Sequence, residues 1–171
     1  MLRQVADRGA RALARLLGEA SVLTSVNLCD NEVHGEGGKA LGRVLARNKS
    51  LLSLNLRLNR LGDDGGRLLA EGLRANRALR ELNVAGNAFG VEAARSMGAV
   101  LTENRSLTWM DMSCNNVGED GARMLRDGLE NNGSLTALDL RMNNVCTALE
   151  SAIAEALKSA EVRRQAVGYG S

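Results

Sequence analysis

The sequence predicts an α/β solenoid: a horseshoe of about five stacked 28-residue turns, parallel strands on its concave face and helices on its convex face. Three observations predict it. An apolar pattern recurs in phase every 28 residues, each copy passes from a two-residue to a four-residue period, and an asparagine marks each change.

The phase is set by Leu23, Leu51, Leu79, Leu107 and Leu135, each 28 residues after the last. Three positions on stand Val26, Leu54, Leu82, Met110 and Leu138, and five positions on stand Leu28, Leu56, Val84, Met112 and Leu140. Residues two apart share one face of a strand, so these pairs point into the core. Eight positions on comes Asn31, Asn59, Asn87, Asn115 or Asn143, and ten positions on Val33, Leu61, Phe89, Val117 or Val145. The asparagines fall where the chain leaves the strand and bends. Their amides are placed to satisfy backbone groups of their own and adjacent turns, a structural ladder whose loss costs about 1–3 kcal/mol per rung.

The second half of each turn reads as helix. Leu41, Leu69, Met97 and Leu125 precede Leu45, Leu73, Leu101 and Leu129 by four residues, one helical stripe. Small pairs (Gly37–Gly38, Gly65–Gly66, Ala93–Ala94, Gly121–Ala122) open each helix and let it lie close to its strand. Before them Glu36, Asp64, Glu92 and Asp120 suit the positive helix N-terminus. Lys39, Arg67, Arg95 and Arg123 follow at ion-pair spacing, three residues later. Asn48, Asn76, Asn104 and Asn132 stand where a C-cap in the left-handed conformation is expected.

The pattern divides residues 1–171 as one domain. Residues 1–22 form an N-terminal half-repeat helix, with Leu13 and Leu17 in phase but no strand before them. Full repeats span 23–50, 51–78, 79–106 and 107–134, and 135–167 is a C-terminal capping repeat. There the glycine pair is lost, and the helix is expected to run through Arg163 and Arg164 and close the core with a polar face. Residues 168–171 are expected to be a frayed tail.

Composition excludes several classes of function. Only Phe89, Trp109 and Tyr169 are aromatic, so the core is aliphatic; 19 glycines and no proline fit short regular turns. A net charge of +2 supplies no drive toward nucleic acid or an anionic membrane, and no run of apolar residues spans a bilayer. Cys29, Cys114 and Cys146 form no CxxC pair and suggest a reducing compartment.

Chemistry is not expected. His34 is the sole histidine and aligns with Gly62, Gly90 and Gly118, which marks it as an exposed loop residue and not a base. No Cys/His cluster has metal-ligand spacing. HGEGGKAL (34–41) lacks the Ser or Thr that must follow a phosphate-loop lysine, and GDDGG (62–66) and GEDG (118–121) are helix starts, not calcium loops. No catalytic residue, metal or cofactor is therefore assigned.

Binding is the function the pattern allows. Strand parity turns three columns outward: Ser25, Ser53, Glu81, Trp109 and Ala137; Asn27, Asn55, Asn83, Asp111 and Asp139; Cys29, Arg57, Ala85, Ser113 and Arg141. Tryptophan and arginine are enriched at interface hot spots. The expected partner-binding concave surface therefore comprises Trp109, Arg57, Arg141, Glu81, Asp111 and Asp139, with Leu58 and Met142 adding apolar area. The opposing reading has Trp109 covering a neighbouring turn and meeting nothing.

The repeat LxxLxLxxNxxGxxGxxxLxxxLxxN resembles the ribonuclease-inhibitor-like class of leucine-rich repeats over nearly the whole chain. Three segments are similar to the C-terminal repeats of a narrower family: LLSLNLRLNRLGDDGGRLLAEGLRANRAL (51–79), SCNNVGEDGARML (113–125) and LTALDLRMNNV (135–145), the last followed by a helix ending EVRRQAV. That family is T-complex-associated testis-expressed protein 1, subunit 5 of the nexin–dynein regulatory complex. The resemblance implies a scaffold in the ciliary axoneme that links doublet microtubules and restrains dynein-driven sliding. Its partners would be subunits of that complex, in a hetero-complex and not a homo-oligomer, with no cofactor. The chain lacks the long region that precedes these repeats in the family, so it reads as a short homologue or a fragment. The alternative implied by the broader class is a soluble cytosolic inhibitor or sensor of the ribonuclease-inhibitor or innate-receptor type.

Overall fold

The structure is a computed structural model that describes residues 2–19 and 22–168. Strand and helix alternate along it: α1 (Leu2–Glu19), β1 (Ser25–Asn27), α2 (Gly35–Leu45), β2 (Ser53–Asn55), α3 (Gly62–Ala75), β3 (Glu81–Asn83), α4 (Val91–Glu103), β4 (Trp109–Asp111), α5 (Gly118–Leu129), β5 (Ala137–Asp139) and α6 (Thr147–Gly168). The strands form one open parallel sheet in chain order, and every pair is in register by the repeat, as in Val26↔Leu54 and Leu82↔Met110. Each helix packs against the next around the outside. Tyr169 and the end of the expected tail lie outside the described residues, as do the side chains of Arg163 and Arg164.

Three residues per strand suffice because only the middle one enters the core. Between sheet and helices, Leu41, Leu69, Met97 and Leu125 are fully buried beneath Leu54, Leu82 and Met110. Phe89 occupies the column of Leu61 and Val117 and is also fully buried. Each such side chain contributes about 1.5–3 kcal/mol by leaving water.

Asparagine columns pin the turns together. The Asn59 amide donates to the carbonyls of Leu28 (2.8 Å) and Leu56 (2.9 Å), while its Oδ1 accepts from the Val33 N–H (2.8 Å). Asn87, Asn115 and Asn143 repeat this bonding, each reaching back one turn to Leu56, Val84 and Met112. Asn31, the first rung, is exposed and donates to Cys29 in its own turn.

Asn48, Asn76, Asn104 and Asn132 are not left-handed C-caps. Asn76 (φ −69°, ψ 139°) and Asn104 (φ −76°, ψ 132°) are extended. They form a second ladder: Asn104 Nδ2 donates to the Leu73 and Asn76 carbonyls (2.9 and 3.0 Å), and its Oδ1 accepts from the N–H groups of Ser106 and Leu107 (2.8 and 2.9 Å). The correction is physical. An extended asparagine can satisfy the backbone as it turns from helix into strand and the turn before it at once, which a left-handed cap cannot.

Superposed on the 28-residue period is an alternation of twice its length. Glu32, Ala88 and Asn144 take positive φ in the odd turns, whereas Gly62 and Gly118 do so in the even ones. Helices α2 and α4 are capped by the preceding turn: Asp7 Oδ1 accepts from the N–H of His34 (2.9 Å) and Gly37 (3.1 Å), and Asp63 Oδ1 from Gly90 (2.8 Å) and Ala93 (2.9 Å). Helices also approach most closely in pairs. A Cβ on Gly72 would lie 2.0 Å from the Gly42 carbonyl oxygen, and one on Gly128 2.4 Å from that of Gly98. Only glycine permits that contact.

Candidate partner-binding face

The concave face is built from the residues flanking each buried strand position. Its central column is conformationally locked. Oδ1 of Asn27, Asn55, Asn83, Asp111 and Asp139 accepts the N–H two residues on, at 2.9–3.0 Å, in five stacked Asx turns. The Asp111 and Asp139 carboxylates, predicted as partner contacts, thus spend one oxygen on the backbone. Asn83 donates to the other oxygen of Asp111 at 3.1 Å.

The structure does not gather all the predicted residues into one patch. Glu81 and Trp109 are register partners at the strand starts, with Ala137 beside them. Arg57, Leu58, Arg141 and Met142 lie beyond the strand ends, four to five residues along, or roughly 13–16 Å at strand rise. The face therefore has two edges. Trp109 is 37% exposed on one, while Leu58 (45%) and Met142 (77%) protrude on the other. Ala85, expected to face outward, is buried at 2% exposure.

The far edge carries a strained backbone column. Asp30, Leu58, Cys114 and Met142 all take positive φ (54–60°), as Gly86 does at 64°. Each uses its N–H to reach the next turn, as Leu58 does to the Ala85 carbonyl at 2.8 Å. Periodicity did not reveal this column, because leucine and methionine are not turn residues. Cys114 Sγ lies 3.5 Å from Met142 Sδ.

Arg141 donates to the Asp139 carboxylate. That hydrogen bond holds the Asp139 carboxyl below its usual range, against the upward push of burial, and raises the Arg141 pKa. On the convex side Arg74 hydrogen-bonds Glu103 across adjacent helices, lowering the Glu103 pKa. Lys39, Arg95 and Arg123 pair with Glu36, Glu92 and Asp120, three residues before each. Arg67 departs from this pattern: it pairs with Glu71, one turn later, and not with Asp64.

His34 is not an exposed loop residue. It is the partly buried N-cap of α2, and both ring nitrogens are buried without a hydrogen-bond partner among the described residues. Among those residues no three His, Cys, Asp or Glu side chains converge on a metal site, and no helix is long and apolar enough to cross a membrane.

Stacked strand–loop–helix turns around an open parallel sheet define the class: a leucine-rich-repeat protein-interaction scaffold. The leucine rich repeat profile matches residues 20–42, 47–70, 75–98 and 103–125, more than half of the chain, and the chain belongs to that family. Among solved structures it is similar to leiomodin-1 actin-binding site 2 (17% identity, TM-score 0.79), covering 96% of this chain and 94% of that one. It is also similar to the tropomodulin C-terminal domain of Caenorhabditis elegans (19% identity, TM-score 0.76), covering 95% and 99% respectively. No curated protein matches the chain.

Proposed function

We propose that this chain is a non-catalytic cytoskeletal scaffold that holds a partner protein against its concave sheet. The observation that carries this reading is Trp109, 37% exposed on a sheet edge beside Glu81. A large amphipathic ring on a rigid ladder binds with little conformational entropy left to lose. Arg57, Arg141, Leu58 and Met142 extend the surface along the other edge.

The finer reading is a subunit of the axonemal nexin–dynein regulatory complex. Residues 51–79, 113–125 and 135–145 support it by their resemblance to that family. A second reading has its own observation: the fold is similar to a leiomodin structure whose name states an actin-binding site, which favours an actin filament.

Co-sedimentation of the tagged chain with salt-washed axonemal doublets and, separately, with actin filaments decides between them. Pelleting with doublets, reduced at least about tenfold by Trp109→Ala, is the expected outcome; that is about 1.4 kcal/mol, within the range of interface tryptophans. Actin-only pelleting selects the second reading. A chain that stays in the supernatant of both overturns the cytoskeletal assignment and leaves the soluble inhibitor or sensor.

A further inference from the structure

The two loop edges of the solenoid carry opposite charge. Loops leaving the strands (29–36, 57–64, 85–92, 113–120) hold eight carboxylates against two arginines, whereas loops entering them (46–52, 74–80, 102–108, 130–136) hold six cations against two carboxylates. Helix dipoles account for the signs, since acids suit N-termini and bases suit C-termini. They do not account for cations left unpaired around a cavity.

Between loops 46–52 and 75–80 lies a groove of about 460 Å³, bordered by Arg47, Lys49, Arg77, Arg80 and Leu52, with no carboxylate in its lining. None of these four cations forms an ion pair among the described residues. Arg77 is held by its Nη1, which donates to the Arg74 (2.6 Å) and Asn76 (2.9 Å) carbonyls, and Arg80 by a bond to the Ser106 carbonyl (3.2 Å). Both guanidiniums are thereby positioned with other N–H groups still to offer. Glu103, the nearby carboxylate, is already engaged by Arg74. Leu52 is 43% exposed and supplies an apolar contact. The groove adjoins the Trp109 edge, since the Thr108 and Trp109 N–H groups both donate to the Arg80 carbonyl (2.8 and 3.1 Å).

We propose that this groove docks an acidic peptide segment of a partner protein, its carboxylates on Arg47, Lys49, Arg77 and Arg80 and an apolar side chain on Leu52. Charge complementarity selects the ligand. A peptide fits better than a nucleic acid or a membrane: the groove is two loops wide, no aromatic ring lines it for base stacking, and the opposite edge repels an extended polyanion. The proposal builds on the scaffold reading but uses a surface distinct from Trp109.

The test is fluorescence anisotropy with a labelled decapeptide of Glu and Asp around one Leu, on the whole chain. Binding that weakens with salt is expected. It should fall at least about tenfold in Arg47→Glu/Lys49→Glu, whose native side chains make no hydrogen bond among the described residues, so the fold is not at stake. Arg95→Glu, on the convex face, should change it less than about twofold. No binding by the native chain, an equal loss in Arg95→Glu, no loss in the double variant, or tighter binding of a DNA oligonucleotide or phosphatidylserine vesicles would each overturn the proposal. If the peptide fails while Trp109-dependent pelleting persists, the groove assignment fails alone.

Discussion

The side-chain amide of Asn76 donates to the backbone carbonyl of Asn48, one full turn earlier, at 3.1 Å. The same amide reaches the Leu45 carbonyl at 2.7 Å, and Asn76 Oδ1 accepts from the N–H groups of Ala78 (2.9 Å) and Leu79 (2.7 Å). One side chain thus closes the end of one helix, the start of the next strand and the contact between two turns. Asn76 is 1% exposed, so water cannot replace it. Asn76→Ala is expected to destabilise the fold by about 3 kcal/mol or more, since several buried backbone groups lose their partners. Asn31→Ala, at an exposed rung, should cost less than about 1 kcal/mol. Urea midpoints read both, and equal costs would refute the burial argument.

Gly72 makes a different demand. With its Cβ position 2.0 Å from the Gly42 carbonyl oxygen, Gly72→Ala must push α2 and α3 apart, at a cost of roughly 1–3 kcal/mol. Gly9, in the middle of α1, meets nothing within 4 Å, and Gly9→Ala should stabilise by about 0.5–1 kcal/mol through helix propensity. Thermal melts of the two variants should move in opposite directions.

Met142 combines positive φ (60°) with 77% exposure. Its backbone strain costs about 1–2 kcal/mol, partly offset in Met142→Gly by glycine's greater entropy loss. A net gain of up to about 1 kcal/mol is expected, readable as a higher melting temperature. If Met142 contacts the partner, the same variant should bind less well while folding better, the signature of a residue kept for binding.

The Asp139–Arg141 pair predicts a pH dependence. A carboxyl whose folded pKa is lowered contributes stability above its unfolded value and loses it as pH falls through the folded one. The contribution of Asp139 should therefore be intact at neutral pH and disappear below about pH 4. Asp139→Asn should flatten that acid limb by less than about 1 kcal/mol, because Arg141 is largely exposed. Stability measured at pH 7 and pH 3 checks it.

The linear pattern carried much of this architecture. The columns of Leu54, Leu69 and Asn59 announced strand, helix and ladder because each position meets its own equivalent 28 residues away, so periodicity in sequence is periodicity in space. The second ladder was visible as Asn48, Asn76, Asn104 and Asn132 but was assigned the wrong backbone conformation, since a cap and a rung place the same residue at the same position. Asp7 and Asp63 were missed because each caps a helix about 30 residues away, which helix-local signals do not encode. The alternation was legible in Gly42, Gly72, Gly98 and Gly128, had the repeats been compared two at a time.

By itself, the sequence determined a parallel solenoid with an aliphatic core, because burying one stripe per turn fixes both the strand face and the stacking direction. Tertiary structure alone decided which outward residues are neighbours. It put Trp109 and Arg141 on opposite sheet edges, buried Ala85 and the nitrogens of His34, and brought Arg47 and Lys49 beside Arg77 and Arg80. Surface neighbours depend on how far each loop carries its side chains across the next turn, a distance set by backbone conformation and not by repeat phase.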